Sequence, residues 1–380
     1  MLFNHIIGQE HIKNHLQVSA KNGRIPHAQL FIGKEGSGTL SMAIAYAQFL
    51  LCNSSNNPET CNLKCNKLQH PDLHFSFPVT TNDSVKKHPV SDLFLEDWRG
   101  FISEQPYGSL FNWLQYIGVE NKQGLIGVDE AKTIVKKLQL KSYEGGFKVM
   151  IIWMAEKMNN EAANKLLKLI EEPPNKTIFL LITENEEQII NTIKSRCQAL
   201  YFPNLSEQDI ANSLHVHYQV SKNEASKIAH QAEGNYNKAI QLFENDSNDL
   251  VFEKWFISWI RTAFKAKGNA SVVQQLISWS DTIAKSGRET QKRFLQYCLQ
   301  FFRQALLLNY TSDQLVFIET KTNFDISKFA PFVHAGNILE IEKELNDAMY
   351  HIERNGNAKI ILLDLSMKLT RFLHKKEETV

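Results

Sequence analysis

The sequence has no run approaching the roughly 18 uninterrupted apolar residues that a membrane-spanning helix needs. Its opening, MLFNHIIGQEHIKNHL, lacks the basic-then-apolar order of a secretory signal, so a soluble, cytoplasmic protein is expected. Cysteine is scarce: five in 380 residues, three of them (Cys52, Cys61, Cys65) crowded together. That is too few for the disulfide framework of a secreted domain, and a reduced compartment is the expectation. Charge of one sign is also missing. With 42 basic and 41 acidic residues the formal net charge is +1, which excludes a nucleic-acid binder working by mass electrostatics and leaves only local DNA contacts. There is no repeat, collagen-like tract or low-complexity block.

What remains is a chain long enough for two or three compact domains, with 43% apolar residues to fill them. Residues 28–33, AQLFIG, read as a buried strand running into a Gly-rich turn and then an apolar helix, TLSMAIAYAQFLLC. The alternation returns with the helical VDEAKTIVKKLQLKSY, the strand-like FKVMIIWM at 147–154, the helix NNEAANKLLKLIEEPP ending at a double proline, and the strand TIFLLIT at 177–183. Short apolar strands separated by helices predict a parallel sheet covered on both faces, over residues 1–203. Beyond it Ser206 with Asp209 and Ser221 with Glu224 announce two helices of a small helical domain, 204–246. From 250 to 380 the pattern is all helical. Phe252, Trp255, Phe256, Trp259 and Ile260 share one face, and so do Phe294, Cys298, Phe301, Ala305 and Leu308. Asn357 is placed to cap the final helix, and residues 310–337 are the least readable.

Gly33-Lys34-Glu35-Gly36-Ser37-Gly38-Thr39-Leu40 has the glycines of a phosphate loop at the right separation, after a strand and before a helix. The chemistry fails. Thr39 stands where the phosphate-binding lysine belongs and Leu40 where a hydroxyl should meet magnesium, while Lys34 is at the wrong end to substitute. A later strand of such an ATPase ends in acids that hold magnesium and water; here Trp153 and Met154 occupy that end. Three residues after Gly234, where the lid helix of the related ATPases carries an arginine, this chain has Asn237. Three parts of one ATP site are missing together.

Taken with Ile7-Gly8-Gln9, Arg24, His27-Ala28-Gln29-Leu30-Phe31, the HPDLHF run at 70–75, Ala162 to Lys168 (AANKLLK), Glu171-Glu172-Pro173-Pro174 and Thr192 to Cys197, these residues resemble the bacterial clamp loaders, in particular the delta-prime type of DNA polymerase III subunit. Asn355 to Leu363 resembles the family's collar helix. The resemblance implies an α/β AAA+ module, a helical lid and an all-α collar. It also implies a non-ATPase place in a hetero-pentameric ring with gamma/tau-type ATPase subunits and a delta subunit, acting on a sliding clamp and primed DNA. ATP and magnesium would then be bound by the partners and not in this chain's own site.

Within that family the arginine of the triplet Ser195-Arg196-Cys197 reaches the ATP of a neighbouring subunit, where its planar fork meets the γ-phosphate. An interface arginine beside a packing cysteine is the plainer alternative. Relatives often carry a four-cysteine zinc module near the position of Cys52, Cys61 and Cys65. This chain keeps three cysteines at other spacings, with His70 and His74 nearby, so loss of the metal is expected over retention. Residues 79–122 look like an insertion whose aromatics (Trp98, Phe101, Tyr107, Phe111, Trp113) are expected in a core more than on a base-stacking platform. Two rival functions are an active AAA+ motor subunit, opposed by Thr39, Trp153 and Asn237, and a zinc-binding DNA adaptor, opposed by the incomplete metal set.

Overall fold

The computed structural model describes residues 2–375 apart from 54, 56, 245–246, 311–319, 321 and 323. They fall into two compact units, one of Met1–Val119 with Gln123–Phe243 and one of Glu120–Lys122 with Glu244–Val380.

The first unit is built on a parallel sheet of β1 (Ala28–Gly33), β2 (Leu73–Ser76), β3 (Lys148–Ile152), β4 (Thr177–Thr183) and β5 (Gln198–Phe202), in the order β2-β3-β4-β1-β5. Leu30 of β1 lies opposite Leu181 on one side and Ala199 on the other. Every residue of β1, β3 and β4 is buried. That is why their sequences are continuous apolar runs and not alternating ones. Successive side chains nevertheless serve opposite faces. Phe31, Val149, Ile151, Ile178 and Leu180 join one apolar cluster, while Leu30, Ile32, Met150, Ile152, Phe179 and Leu181 join another.

Over the first face lie α1 (Glu10–Lys21), α2 (Thr39–Asn53), α3 (Pro58–Asn66), α4 (Leu95–Glu104) and α5 (Leu110–Tyr116). The second face is covered by α6 (Val128–Gln139), α7 (Asn160–Glu171) and the short α8 (Asn191–Lys194). α2 is buried on nearly all sides, as its uniformly apolar sequence requires. The remainder of this unit is α9 (Glu207–Tyr218), α10 (Lys222–Ala232) and α11 (Tyr236–Phe243), packed around Ile210, Leu214, Ala225 and Ala229. The Ser206 and Ser221 hydroxyls accept the amide N–H groups of Asp209 and Glu224, satisfying donors that a helix start leaves open.

The second unit is helical: α12 (Ser247–Lys265), α13 (Ala270–Ala284), α14 (Arg288–Tyr310), α15 (Ile326–Phe329), α16 (Ile338–Glu353) and α17 (Ala358–Phe372). Phe252, Phe256, Trp259, Ile260, Phe294, Cys298, Phe301 and Ala305 are buried in one core, with Leu308 half-buried. Trp259 stacks on Trp279 and donates its indole N–H to Ser366 Oγ at 2.8 Å. Asn357 caps α17 through the Ile360 amide. Much of the stretch hardest to read in sequence, 310–337, lies outside the described residues. No helix among the described residues is long and apolar enough to cross a membrane.

Candidate functional site

β1 delivers the chain at Gly33 into the glycine loop, and Thr39 starts α2. Gly36 and Gly38 have φ of +73° and +88°, values that disfavour any residue with a Cβ. The Ser37 hydroxyl is buried and donates to Lys34 O at 2.6 Å, closing the turn. Thr39 and Leu40 are buried, whereas Lys34 is exposed.

The space over the glycines is filled by the chain itself. A Cβ on Gly36 would lie 2.0 Å from Asn235 Oδ1, and one on Gly38 2.9 Å from Tyr107 Cε1. Asn237 Nδ2 donates to Glu35 Oε1 at 2.8 Å and to Asn112 Oδ1 at 2.9 Å. The Tyr236 amide donates to Gly36 O at 3.3 Å. Tyr107 packs against Tyr236 with ring centroids 4.9 Å apart, and its phenolic oxygen accepts the Ile7 amide at 2.8 Å. Gln9 Nε2 ties the loop to the end of β5 through Ser37 O (3.1 Å) and Pro203 O (2.7 Å). Burial raises both phenols, that of Tyr236 to about 12, so both are neutral at physiological pH. A triphosphate needs free loop amides and a cation. Here the loop offers a glutamate carboxylate already bonded to the start of α11.

At the end of β3, Trp153 and Met154 are each 3% exposed. Trp153 belongs to an aromatic cluster with Trp98 (5.2 Å between centroids) and Phe101, and Trp98 stacks on Phe77 at 4.1 Å. The residues of 79–122 therefore occupy, with indole and phenyl rings, the region beside the strand end where an ATPase keeps acids. The nearest acid on this connection is Glu156, which sequence reading passed over. Its Oε1 accepts the Glu184 amide at 3.1 Å, and desolvation raises its carboxyl above the ordinary range.

Arg196 follows α8. Its Nη1 donates to Thr192 O at 2.9 Å and its Nη2 lies 3.1 Å from Glu171 Oε2, at the end of α7. Ser195 is exposed at the turn, donating to Thr192 O at 3.3 Å. Cys197 is half-buried against the α7 face of the core, where burial pushes its thiol up to about 11. In sequence Glu171 stands only as part of the Glu171-Glu172-Pro173-Pro174 motif, and no spacing rule pairs it with Arg196.

The cysteines depart from the reduced state expected of them. Cys52 and Cys61 form a disulfide, with Cα atoms 5.5 Å apart, because the end of α2 and the start of α3 fold back on each other. Cys65 lies beside them, 3.8 Å from Cys52 sulfur to sulfur, its thiol raised to about 12 by burial. The three sulfurs lie within 4.8 Å of one another, and among the described residues no fourth donor joins that group. His70 instead accepts the Asp72 amide at Nδ1, with Nε2 3.8 Å from Glu144. A closed tetrahedral zinc site needs four donors, so this set does not fit one.

A family model described as "DNA polymerase III, delta subunit" matches residues 8–206, more than half of the chain. The delta' subunit of DNA polymerase III from Bacillus subtilis (strain 168) is 30% identical over 243 residues, 63% of this chain and 60% of that protein. The tau subunit from the same organism is 28% identical over 247 residues, 64% of this chain and 37% of that one. The delta' subunit of Escherichia coli (strain K12) is 25% identical over 237 residues, 61% of this chain and 59% of that one. The matched part thus spans about 60% of the delta' relatives, and likeness alone does not separate delta' from tau.

Proposed function

This chain belongs to the DNA polymerase III delta-subunit family, and on that premise we propose that it is a non-hydrolysing clamp-loader subunit of the delta-prime type. The observation that carries the reading is the glycine loop covered by Asn235, Tyr236 and Tyr107 and bonded through Glu35 to Asn237. An ATPase subunit of the gamma or tau type uses that loop for phosphates. The likeness to tau keeps that second reading in view, and Thr39, Leu40 and Trp153 oppose it.

In this role the chain supports ATP-driven loading of a sliding clamp onto primed DNA as one member of a hetero-pentameric AAA+ ring. The C-terminal helical unit supplies collar contacts, and the neighbouring gamma/tau-type subunit binds ATP and magnesium. Arg196 is assigned to that neighbour's ATP, where five N–H donors in a rigid fork stabilise charge on the transferring phosphoryl group. The chain's own loop then serves as a fixed link between sheet and lid, independent of nucleotide. The cysteine cluster is assigned no metal.

Titration of the isolated protein with a fluorescent ATP analogue tests the filled loop. The expected outcome is no magnesium-dependent binding up to millimolar concentration. Micromolar, magnesium-dependent binding that disappears on Gly38→Val would overturn the reading.

A further inference from the structure

The arginine proposed to act on a neighbour's ATP is not held extended. Its Nη1 is turned back onto the carbonyl of Thr192, four residues earlier, and its Nη2 is paired with Glu171 on a different helix. Nε is buried and makes no hydrogen bond among the described residues. Both terminal nitrogens therefore have partners inside the chain, and the Glu171 carboxylate neutralises part of the charge that a phosphate would meet. Glu171 is 54% and Arg196 32% exposed at the side chain, so the pair is solvated enough to open and reclose rapidly. A phosphate oxygen and the Glu171 carboxylate compete for the same Nη2 donor, and their like charges disfavour simultaneous occupancy.

We propose that Glu171 is a positioning residue that parks Arg196 in a retracted form, so that delivery of the guanidinium to an anionic phosphate on a neighbouring subunit proceeds by exchange of the Glu171 carboxylate for that phosphate. The inference rests on the proposed role of Arg196. A finger that spends part of its time parked contributes only in proportion to its extended fraction, as any binding-competent minor state does. An exposed ion pair is weak, so the parked form is only a modest brake: its removal shifts the extended-to-parked ratio by at most about fivefold. The effect falls on turnover and not on ATP affinity, because the neighbour's own loop holds the nucleotide.

The test is steady-state ATP hydrolysis by the reconstituted ring carrying the native chain, Glu171→Gln, Arg196→Ala or both. Glu171→Gln removes the charge at near-constant shape, and Glu171→Ala, which removes the acceptor as well, should behave alike. The expected result is a higher kcat for either Glu171 variant, by less than the change at the one affected interface because the ring's other ATP sites are untouched, with an unchanged KM for ATP and a double variant indistinguishable from Arg196→Ala alone. If Arg196→Ala lowers hydrolysis while both Glu171 variants leave kcat unchanged or lower it, the parking role is wrong and the role of Arg196 stands. A gain that persists in the Arg196→Ala background also overturns it, since Glu171 would then act by another route. If Arg196→Ala itself changes nothing, the function assigned to Arg196 fails and the parking role fails with it.

Discussion

At position 39 stands a threonine where the phosphate-loop pattern has a lysine, and among the described residues Lys34 is exposed and Glu35 brings a carboxylate to the loop. Single residues decide other properties in the same way. His74, on β2, is held neutral by burial, with the Lys137 charge adding to the effect, and its imidazole titrates at about 4 instead of 6.5. The unfolded chain takes up a proton there from about pH 6.5 downward and the folded chain does not. His74 therefore contributes its full stability above pH 6.5 and loses it as the pH falls toward 4, by about 3 kcal/mol at that limit. Glu130 and Glu156, whose carboxyls burial raises, pull the other way on acidification, so total stability does not isolate the histidine. The difference in urea-unfolding free energy between the native chain and His74→Gln does. It should shrink by about 3 kcal/mol between pH 7 and pH 4, and a difference independent of pH contradicts the assignment.

Among the elements, β1 and β4 were legible to the residue because a strand buried on both faces must be apolar throughout. The edge strand β5 was not. Gln198, Ala199 and Tyr201 are exposed, so its composition resembles a loop. β2, four residues long within HPDLHF, was quoted for its likeness and not read as a strand. Capping residues marked α9, α10 and α17 correctly because side-chain capping is local chemistry. The loop residues Thr39, Trp153 and Asn237 were legible as departures from a pattern. Their partners were not, since Asn112–Asn237 and Arg196–Glu171 pair residues that no periodicity relates. α4 and α5 bring Trp98, Phe101, Phe111 and Trp113 into the core, which leaves no stacking platform among these rings. Trp98 is fully buried among Phe77, Phe101, Trp113 and Trp153, and its indole N–H finds no acceptor among the described residues. Trp98→Ala should cost about 3–5 kcal/mol in chemical denaturation, as emptying a large aromatic site does. Trp98→Phe should cost much less, because it keeps most of the ring and removes the orphaned donor. An alanine cost below about 1 kcal/mol would mean that the cluster does not hold the end of β3.

For the whole molecule, the consistent feature is that groups an ATPase keeps free are bound up internally here: the glycine loop with α11, the end of β3 with an aromatic core, the acid of Glu156 with a backbone amide. On the proposed reading, such a chain contributes to ATP hydrolysis outward, through Arg196. Arginine fingers in phosphoryl transfer are worth on the order of a thousandfold or more, and a ring with several ATP sites shows less because one interface alone loses its finger. The direct measurement is DNA- and clamp-stimulated ATP hydrolysis by a ring reconstituted with gamma/tau-type and delta subunits, comparing the native chain with Arg196→Ala and Arg196→Lys. Assembly, followed by native mass, should be unchanged, hydrolysis and clamp loading should fall with alanine, and lysine should restore little because it keeps the charge without the fork. A ring that assembles with Arg196→Ala and hydrolyses ATP and loads clamps at the native rate contradicts the account.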